Sequence, residues 1–349
     1  MNHPVQPLYN RARITRCDVA MTAYFRVFTV FLLLAASSGV ASAHSYPLPE
    51  PGIDVIGSVQ TVTVHANDTL LDIARRYGLG FEDIKRANPE LDIWIPGSGS
   101  PVLLPTQYIL PDGPREGIVI NLPEMRLFYF PPPAKGEPAE VITYPLSIGR
   151  REWSTPFGDS VITTKVKDPV WFPPESVRKE HAADGRLLAS RVEPGPDNPL
   201  GKYALGLNLP GYYIHGTNRP YGIGLRVTHG CLRLYPEDIE TLFNTVPVGT
   251  RVRLVNQPYK AGWRDGTLYL EVHDPLEETT AENEKNHSGA VSAIVMATRD
   301  RTSPIVWERV QAVITRASGM PVPISADHLE AEAIASSMRR TDANSLPNE

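Results

Sequence analysis

Residues 59–105 carry a hydrophobic pattern that predicts a strand, two helices and a second strand in turn. Val62 and Val64 alternate with polar residues, as in a short strand. The run DTLLDIARRYGLG places apolar residues at helical spacing, with Asp68 as the candidate N-cap and Gly78 at the end. A second short helix over FEDIKRAN and a closing strand over VLLP follow. The pattern therefore predicts a small βααβ module.

In residues 116–256 apolar and polar positions alternate with a shorter period than in the helices of the first module. GIVINLPEMRLFYF alternates apolar and polar residues on both sides of a turn at residues 122–124, which predicts a hairpin. Further short strands are predicted in VITYPLSIG, VITTKV, YALGLNL, YYIHG and RVRLV, separated by glycines and prolines. One helix, PEDIETLF, is predicted among them. We therefore predict a mainly β domain, either a β-sandwich or barrel-like.

The flanking segments have weaker patterns. Residues 44–58 are rich in proline and are predicted to form a linker. Residues 257–276 include GTLYLEVHDPL, which predicts an added C-terminal strand. Residues 277–349 are predicted to be a largely disordered tail, because their first part is strongly polar, with one amphipathic helix near 304–318.

Residues 1–43 have the pattern of a secretory signal peptide. An apolar run, VFTVFLLLAA, follows a basic segment and precedes the small residues SSGVASA, which predicts cleavage after Ala43. The apolar run is shorter than the ~20 residues that span a bilayer. We therefore predict an exported, periplasmic protein with no membrane span after cleavage. Met21 is an alternative start, because residues 21–43 alone make a signal peptide of ordinary length.

The net charge argues against nucleic acid as a partner. The full chain carries −5 at pH 7, and loss of four arginines and one aspartate with the signal peptide leaves −8. No basic cluster offsets this acidic balance. Cys17 is also lost with the signal peptide, so Cys231 becomes the single cysteine and no internal disulfide is expected. A single thiol in an exported protein is either buried and inert or reactive.

The neighbours of Cys231 favour a reactive thiol. A thiol with a pKa of ~8.5 is mostly protonated at neutral pH, so a nucleophilic cysteine needs an imidazole that takes its proton. His215 ends a predicted strand and is the favoured base, while His229 is the alternative. The Gly216 carbonyl is predicted to orient the His215 ring. The amides of Gly230 and Cys231 are predicted to form an oxyanion hole.

Arginines near Cys231 are candidates for binding a substrate carboxylate. The bidentate guanidinium of Arg233 or Arg226 suits this task. An ion pair between Arg233 and Glu237 or Asp238 of the following helix is equally compatible with the sequence. Tyr203 is a further candidate substrate-binding residue.

Two motifs, IHGTN and THGCLRL, resemble the signature of the L,D-transpeptidase catalytic domain, the YkuD-type fold. STPFGD and PGPDNPLGKYAL are similar to stretches of the ErfK-like branch of that family. The resemblance covers residues 116–256. Residues 59–105 resemble a LysM module, whose family binds glycans that contain N-acetylglucosamine, especially peptidoglycan.

The resemblance implies a role for each matching residue. The family's nucleophile falls on Cys231 and its proton donor and acceptor on His215. Thr228 and His229 occupy the pocket-lining turn, and Arg233 follows the nucleophile by two positions. The implied fold is YkuD-type, and no cofactor or metal is implied.

The implied reaction is acyl transfer on peptidoglycan. Cys231 attacks the carbonyl of the third residue of a tetrapeptide stem, D-alanine leaves, and an amine resolves the thioester. The acceptor is a lysine of an outer-membrane lipoprotein, which the ErfK-like features favour, or a second stem; water as acceptor makes the enzyme an L,D-carboxypeptidase. A carbapenem is expected to acylate Cys231. Deletion of residues 59–105 is expected to weaken binding to sacculi and to spare turnover of small soluble substrates.

Three other readings are compatible with parts of the sequence. His215, His229 and Cys231 are all possible zinc ligands, but no paired CxxC or HExxH motif accompanies them. A papain-like endopeptidase places its cysteine before its histidine along the chain, the reverse of the order here. A non-catalytic peptidoglycan-binding protein uses the LysM-like module alone. Substitution of Cys231 distinguishes these two hypotheses, because a non-catalytic binding protein keeps its binding to sacculi and its cellular role without the thiol.

Overall fold

A computed structural model describes residues 44–279 and 287–326 of the chain. The predicted signal peptide lies outside the described residues. Within the described ranges, no helix has both the length and the apolar character needed to cross a bilayer.

The segment predicted as a linker is a paired part of the fold. It contains β1 (His44–Pro47) and β2 (Val55–Gly57). β1 pairs antiparallel with residues 140–143 of the mainly β domain, and β2 pairs with residues 107–109. Prolines stand at the end of β1 and beyond it, and an edge strand tolerates proline there because no ladder hydrogen bond is lost. The proline content that predicted a linker therefore marks edge strands.

The βααβ module has the predicted order of elements: β3 (Gln60–Thr63), α1 (Leu70–Arg76), α2 (Phe81–Ala87) and β4 (Pro101–Leu104). The N-cap of α1 is Thr69 rather than Asp68, because Thr69 forms a capping box with Asp72. Gly78 follows α1 with φ of +58°, the left-handed conformation that ends the helix. The two helices bury their apolar faces against β3 and β4 in a separate small core.

The domain predicted over residues 116–256 is built mainly from strands, which confirms the predicted fold class. After β5 (Gln107–Ile109) its elements are, in order, β6 (Gly117–Asn121), β7 (Arg126–Phe130), β8 (Glu140–Pro145), β9 (Ile148–Gly149), β10 (Gly158–Lys167), α3 (Glu175–Ala183), β11 (Tyr203–Leu207), β12 (Tyr213–His215), β13 (Arg226–Thr228), β14 (Leu232–Arg233), α4 (Pro236–Thr245) and β15 (Arg251–Val255). Two 3₁₀ turns lie at Arg151–Trp153 and Pro220–Gly222. β6 and β7 form the predicted hairpin.

One curled sheet of nine strands organises this domain. Its order is β1-β8-β7-β6-β15-β10-β11-β12-β14, with a small β9–β13 pair beside it. The sheet is mixed, since β15 runs parallel to β6 and β12 runs parallel to β14. α4 packs Ile239 and Leu242 into the core formed by the inner faces of the strands. The far edge of the sheet, β12 and β14, carries the candidate chemistry.

The C-terminal part is folded over most of its described length, which corrects the predicted disordered tail. β16 (Tyr259–Arg264) and β17 (Thr267–Val272) form a hairpin, followed by a 3₁₀ turn at Glu277–Thr279, α5 (His287–Ala297), α6 (Trp307–Arg316) and β18 (Val322–Pro323). Apolar residues of both helices pack on β16 and β17 and form a core of their own. α6 coincides with the predicted helix near 304–318 and is shorter. The polar run 280–286 and residues 327–349 lie outside the described residues.

Candidate active site

Parallel pairing of β12 with β14 places the two predicted catalytic residues side by side. Ile214 pairs with Leu232, and His215 pairs with Arg233. Cys231 stands immediately before β14 and is therefore level with Tyr213, two positions before His215 on the neighbouring strand, although sixteen positions separate Cys231 from His215 in the sequence. The sheet edge thus provides the rigid platform that an aimed imidazole needs.

Both residues line one cavity of about 350 Å³. His229 and Arg233 also face this cavity. Its remaining wall is largely apolar and comes from residues 166–177, including Trp171 and Phe172, with Leu200 and Tyr213. The size and the mixture of apolar walls with a few polar groups are typical of a site for a small substrate or a peptide segment.

His215 is buried, with 2% of its surface exposed. Its Nδ1 lies 2.7 Å from the Gly216 carbonyl oxygen and must donate to it, which leaves Nε2 as the basic nitrogen. Burial and the nearby charge of Arg233 lower the pKa of His215 to about 3, against the opposing effect of the Gly216 and Leu200 carbonyls. The imidazole is therefore neutral at physiological pH and can accept a proton. The contact expected for Gly216 is present, and its catalytic role stays a prediction.

The Cys231 thiol is also held in its neutral form. Burial raises its pKa, while the Tyr213 amide and the charge of Arg233 act in the opposite direction. Its Sγ donates a weak hydrogen bond to the Gly211 carbonyl at 3.6 Å. The resting site therefore contains a thiol and a neutral imidazole, rather than a thiolate and an imidazolium.

Thr228 shapes the turn that carries Cys231. The buried Thr228 hydroxyl donates to the Cys231 carbonyl at 2.6 Å and accepts the Gly230 amide at 3.1 Å. Gly230 has φ of +101°, a conformation that favours glycine. The Gly230 carbonyl accepts a hydrogen bond from the Thr155 hydroxyl at 2.8 Å. The Gly230 amide thus donates to Thr228 in the structure, and not to the predicted oxyanion. Thr228 holds the backbone of this turn and does not line the cavity.

His229 contacts residues that the sequence analysis did not identify. Its Nε2 lies 3.1 Å from a Glu180 carboxylate oxygen and 3.4 Å from the Arg150 guanidinium. Arg150 also forms a close ion pair with Glu180, and the Trp153 ring packs edge-on against the His229 ring. Burial lowers the pKa of His229, and the hydrogen bond that its imidazole makes to the Glu180 carboxylate opposes this shift.

Arg233 faces the cavity with part of its guanidinium unsatisfied. Its Nε is buried and has no hydrogen-bond partner among the residues that the structure describes. Burial lowers its pKa. Glu237, one predicted partner, instead binds Arg75 through two hydrogen bonds of 2.6 and 2.7 Å. A buried cation with free hydrogen-bonding capacity beside Cys231 can receive a substrate carboxylate or carbonyl.

Comparisons with known proteins agree with this geometry. The L,D-transpeptidase catalytic domain model (YkuD) matches residues 115–254, a LysM domain model matches residues 62–93, and an L,D-transpeptidase C-terminal domain model matches residues 261–324. A probable L,D-transpeptidase ErfK/SrfK of Salmonella typhimurium is 43% identical over 304 residues, which cover 86% of this chain and 96% of that protein. Its counterpart in Escherichia coli K12 is 41% identical over 84% of this chain and 95% of that protein, and the probable L,D-transpeptidase YbiS of that strain is 40% identical over 86% and 98%.

The chain belongs to the L,D-transpeptidase family. It is an enzyme of that family, as the motifs IHGTN and THGCLRL predicted, and a LysM module precedes the catalytic domain, as the pattern of residues 59–105 predicted. The C-terminal domain match covers the β16–β18 unit described above. The sequence analysis had assigned that region to one strand and a tail.

Two predicted substrate-binding residues of this L,D-transpeptidase lie elsewhere. Arg226 forms a two-pronged ion pair with Glu278, at 2.7 and 3.0 Å, and contacts the Gly149 carbonyl. Tyr203 is buried in the core against Phe243, and its hydroxyl donates to Glu240 at 2.7 Å. Neither residue is part of the cavity lining. Their positions in sequence suggested proximity to Cys231, and the contacts that occupy them come from distant segments.

The side chains that converge as possible metal ligands differ from the three considered in the zinc hypothesis. Within the described part of the chain, the group of side chains that converge closely enough for an ion is Glu124, Glu271 and His273, and not His215, His229 and Cys231. The Lys260 ammonium lies 2.7 Å from an oxygen of each glutamate and thus provides the positive charge of that cluster.

Proposed function

We propose that this L,D-transpeptidase acts in the periplasm on tetrapeptide stems of peptidoglycan, through a thioester at Cys231. The observation that carries the proposal is the convergence of Cys231, His215 and Arg233 on one cavity through the β12–β14 pairing. A nucleophile, a neutral base and a cation for the substrate's oxygen atoms are the groups that acyl transfer from a peptide requires. The LysM match and the predicted signal peptide support a cell-wall substrate outside the cytoplasm.

In the first half-reaction, Cys231 Sγ attacks the carbonyl carbon of the third stem residue. The thiol proton passes to His215 Nε2 as the carbon–sulfur bond forms, because the imidazole is neutral and its Nδ1 is held by Gly216. The amide bond to D-alanine then breaks, and the leaving amine takes the proton from His215. The thioester keeps most of the free energy of the broken amide, so no ATP is needed.

In the second half-reaction, an amine attacks the thioester carbon and the carbon–sulfur bond breaks. His215 takes a proton from the attacking nitrogen and returns it to the sulfur. The acceptor that we propose is a lysine of an outer-membrane lipoprotein, with the amine of a second stem as the other source of the same chemistry. Mass spectrometry of muropeptides from cells with and without the enzyme separates them, since lipoprotein-derived remnants and 3→3 dimers are different products.

Substitution of Cys231 tests the proposal directly. We expect Cys231→Ala to abolish D-alanine release from a soluble tetrapeptide stem while circular dichroism and the thermal unfolding midpoint stay unchanged. His215→Ala should reduce kcat by about 10²–10⁴-fold, the usual contribution of a general acid and base. A carbapenem should add one covalent increment to the intact wild-type protein and none to Cys231→Ala. Retention of D-alanine release in folded Cys231→Ala would refute the nucleophile, and near-normal rates in His215→Ala would transfer the base to His229.

A further inference from the structure

The loop between His215 and the nucleophile is held by the LysM module. Residues 216–225 leave β12 and lead to β13. The Phe81 amide, at the start of α2, donates to the Ile223 carbonyl at 2.8 Å. Gly224 has φ of +86°, and a Cβ on it would lie 2.4 Å from the Phe81 nitrogen and 2.5 Å from the Gly80 Cα. The two backbones therefore touch, with no room for a side chain between them.

The same module also contacts the segment after the nucleophile. The buried Tyr235 hydroxyl, four residues beyond Cys231, donates to the Leu79 carbonyl at 3.0 Å. Glu237, in the first turn of α4, accepts two hydrogen bonds from Arg75 of α1. The module thus contacts the segment 223–237 at both of its ends, and Cys231 lies between these two sets of contacts.

A buried charge makes this interface specific. The side chain of Arg126 in β7 is 1% exposed, and its guanidinium donates to Asp83 of α2 at 2.7 Å and to the Gly78 carbonyl at 3.3 Å. Its ion-pair partner in the structure thus belongs to the module. Separation of the two surfaces leaves Arg126 without that carboxylate, and an arginine buried in this way requires its acidic partner. The module is accordingly built to stay in contact with the catalytic domain.

We propose that the LysM module is a positioning element of the catalytic centre, which fixes the backbone of residues 223–237 and with it Cys231 and Arg233. The inference rests on the proposed function, in which Cys231 is the nucleophile, and goes beyond it by giving Gly224, Arg75 and Glu237 positioning roles. It also replaces the expectation that loss of residues 59–105 spares turnover of soluble substrates. A displacement of the nucleophile by about 1 Å is enough to lower kcat by about 100-fold.

A pair of glycine variants in the full chain tests the proposal. Gly224→Ala forces a Cβ into the Phe81 backbone, whereas Gly222→Ala meets no atom within 4 Å and is the matched control in the same loop. We expect Gly224→Ala to lower kcat for a soluble tetrapeptide by at least about tenfold with a smaller change in KM, and Gly222→Ala to stay within about twofold of wild type. Equal activity of the two variants, both folded, would overturn the inference.

A charge exchange keeps the test valid when Gly224→Ala does not fold. Arg75→Glu and Glu237→Arg each place like charges at the interface, and the double variant restores an ion pair of reversed polarity. We expect each single variant to lose at least about threefold in kcat and the double variant to recover most of it. Arg76→Glu is the control, because Arg76 pairs with Asp68 inside the module. Wild-type kcat in both single variants contradicts the proposal.

Alkylation of Cys231 by iodoacetamide separates this inference from the proposed function. The rate is read by intact mass and needs no peptide substrate. We expect faster alkylation in Gly224→Ala than in Gly222→Ala, because the half-buried thiol becomes more accessible when its segment is released. Absence of D-alanine release by the wild type refutes the proposed function alone. Identical alkylation rates in the two glycine variants count against the positioning role alone.

Discussion

At the scale of single residues, the imidazole and the thiol of the candidate site are both uncharged at rest. Burial keeps the His215 imidazole unprotonated and raises the pKa of the Cys231 thiol. A preformed thiolate–imidazolium pair would need a cation-stabilising environment around the histidine, and Arg233 provides the opposite. In the proposed reaction the proton therefore moves when the substrate carbonyl is attacked, and the same imidazole then protonates the leaving amine.

The pH dependence of Cys231 reactivity follows from these shifts. Because the pKa of the thiol is raised, its thiolate fraction is small at neutral pH and grows as pH rises. We expect the alkylation rate with iodoacetamide to increase through pH 7–9 without a plateau near neutrality. Arg233→Met should move the curve to higher pH, since the charge of Arg233 lowers the thiol pKa. A plateau below pH 7 indicates an ion pair and contradicts the neutral resting state.

The sequence placed in the cavity the two residues that lie in local motifs, Cys231 and His215, and missed contacts whose partners are distant in the sequence. Cys231, His215 and Gly216 lie in two short motifs, and the strand that carries His215 was recognisable from its alternation. Arg226 was placed at the site by proximity in sequence, but its partner Glu278 is 52 residues away. Nothing in the residues around Glu180 distinguishes this carboxylate from an exposed helical glutamate.

At the scale of elements, α3 closes one side of the cavity. Val177 on its buried face lines the cavity, and Glu180 connects the helix to His229 and Arg150. The sequence analysis predicted one helix in this domain and missed α3, although Pro174 precedes this helix and Gly185, at φ of +73°, follows it, which are ordinary start and stop signals. The contact of α3 with the turn of residues 228–231 is tertiary and follows from the course of residues 168–200.

Titration of His229 reports the contact between α3 and the catalytic turn. Glu180 raises the pKa of His229 against the larger effect of burial. We therefore expect the His229 pKa, measured by NMR of the imidazole protons, to fall further in Glu180→Gln. Glu175→Gln on the same helix is the control, because Glu175 pairs with the exposed Lys179. An unchanged His229 pKa in Glu180→Gln means that α3 does not hold this contact in solution.

At the scale of the whole molecule, the described chain is one compact unit whose parts share polar junctions. The sequence predicted the order of module and catalytic domain and the mainly β fold, because these depend on local periodicity. It did not predict the junctions. The strands at 44–57 pair with residues 50 or more positions away, and the C-terminal core forms only when α5 and α6 pack on β16 and β17. Such pairings depend on complementary surfaces that no local pattern records.

The Lys260 cluster is the most deeply buried of these junctions. Lys260 in β16 donates to Glu124, which follows β6, to Glu271 in β17 and to the Ile109 carbonyl of β5. His273 adds a contact of 2.7 Å to Glu271. Burial raises the pKa of Glu124, whereas Lys260 and His273 together hold the pKa of Glu271 below its usual value despite burial. One ammonium thus compensates two carboxylates where the catalytic and C-terminal domains meet.

Replacement of Lys260 by methionine should therefore destabilise the protein in a pH-dependent way. The two glutamates lose their counter-charge, and removal of one partner from a buried ion pair costs about 3–5 kcal/mol. Without the ammonium, burial raises the pKa of both carboxyls in the folded state above their unfolded values. The folded state then binds more protons than the unfolded state, so the stability of Lys260→Met falls as pH rises from 5 to 8. Urea unfolding of Lys260→Met and wild type at both pH values measures this difference.

Lys179→Met, which breaks an exposed ion pair, is the control and should leave the unfolding midpoint unchanged. A loss in Lys260→Met that is small, or equal at pH 5 and pH 8, would show that Lys260 does not stabilise the charge of these buried carboxyl groups.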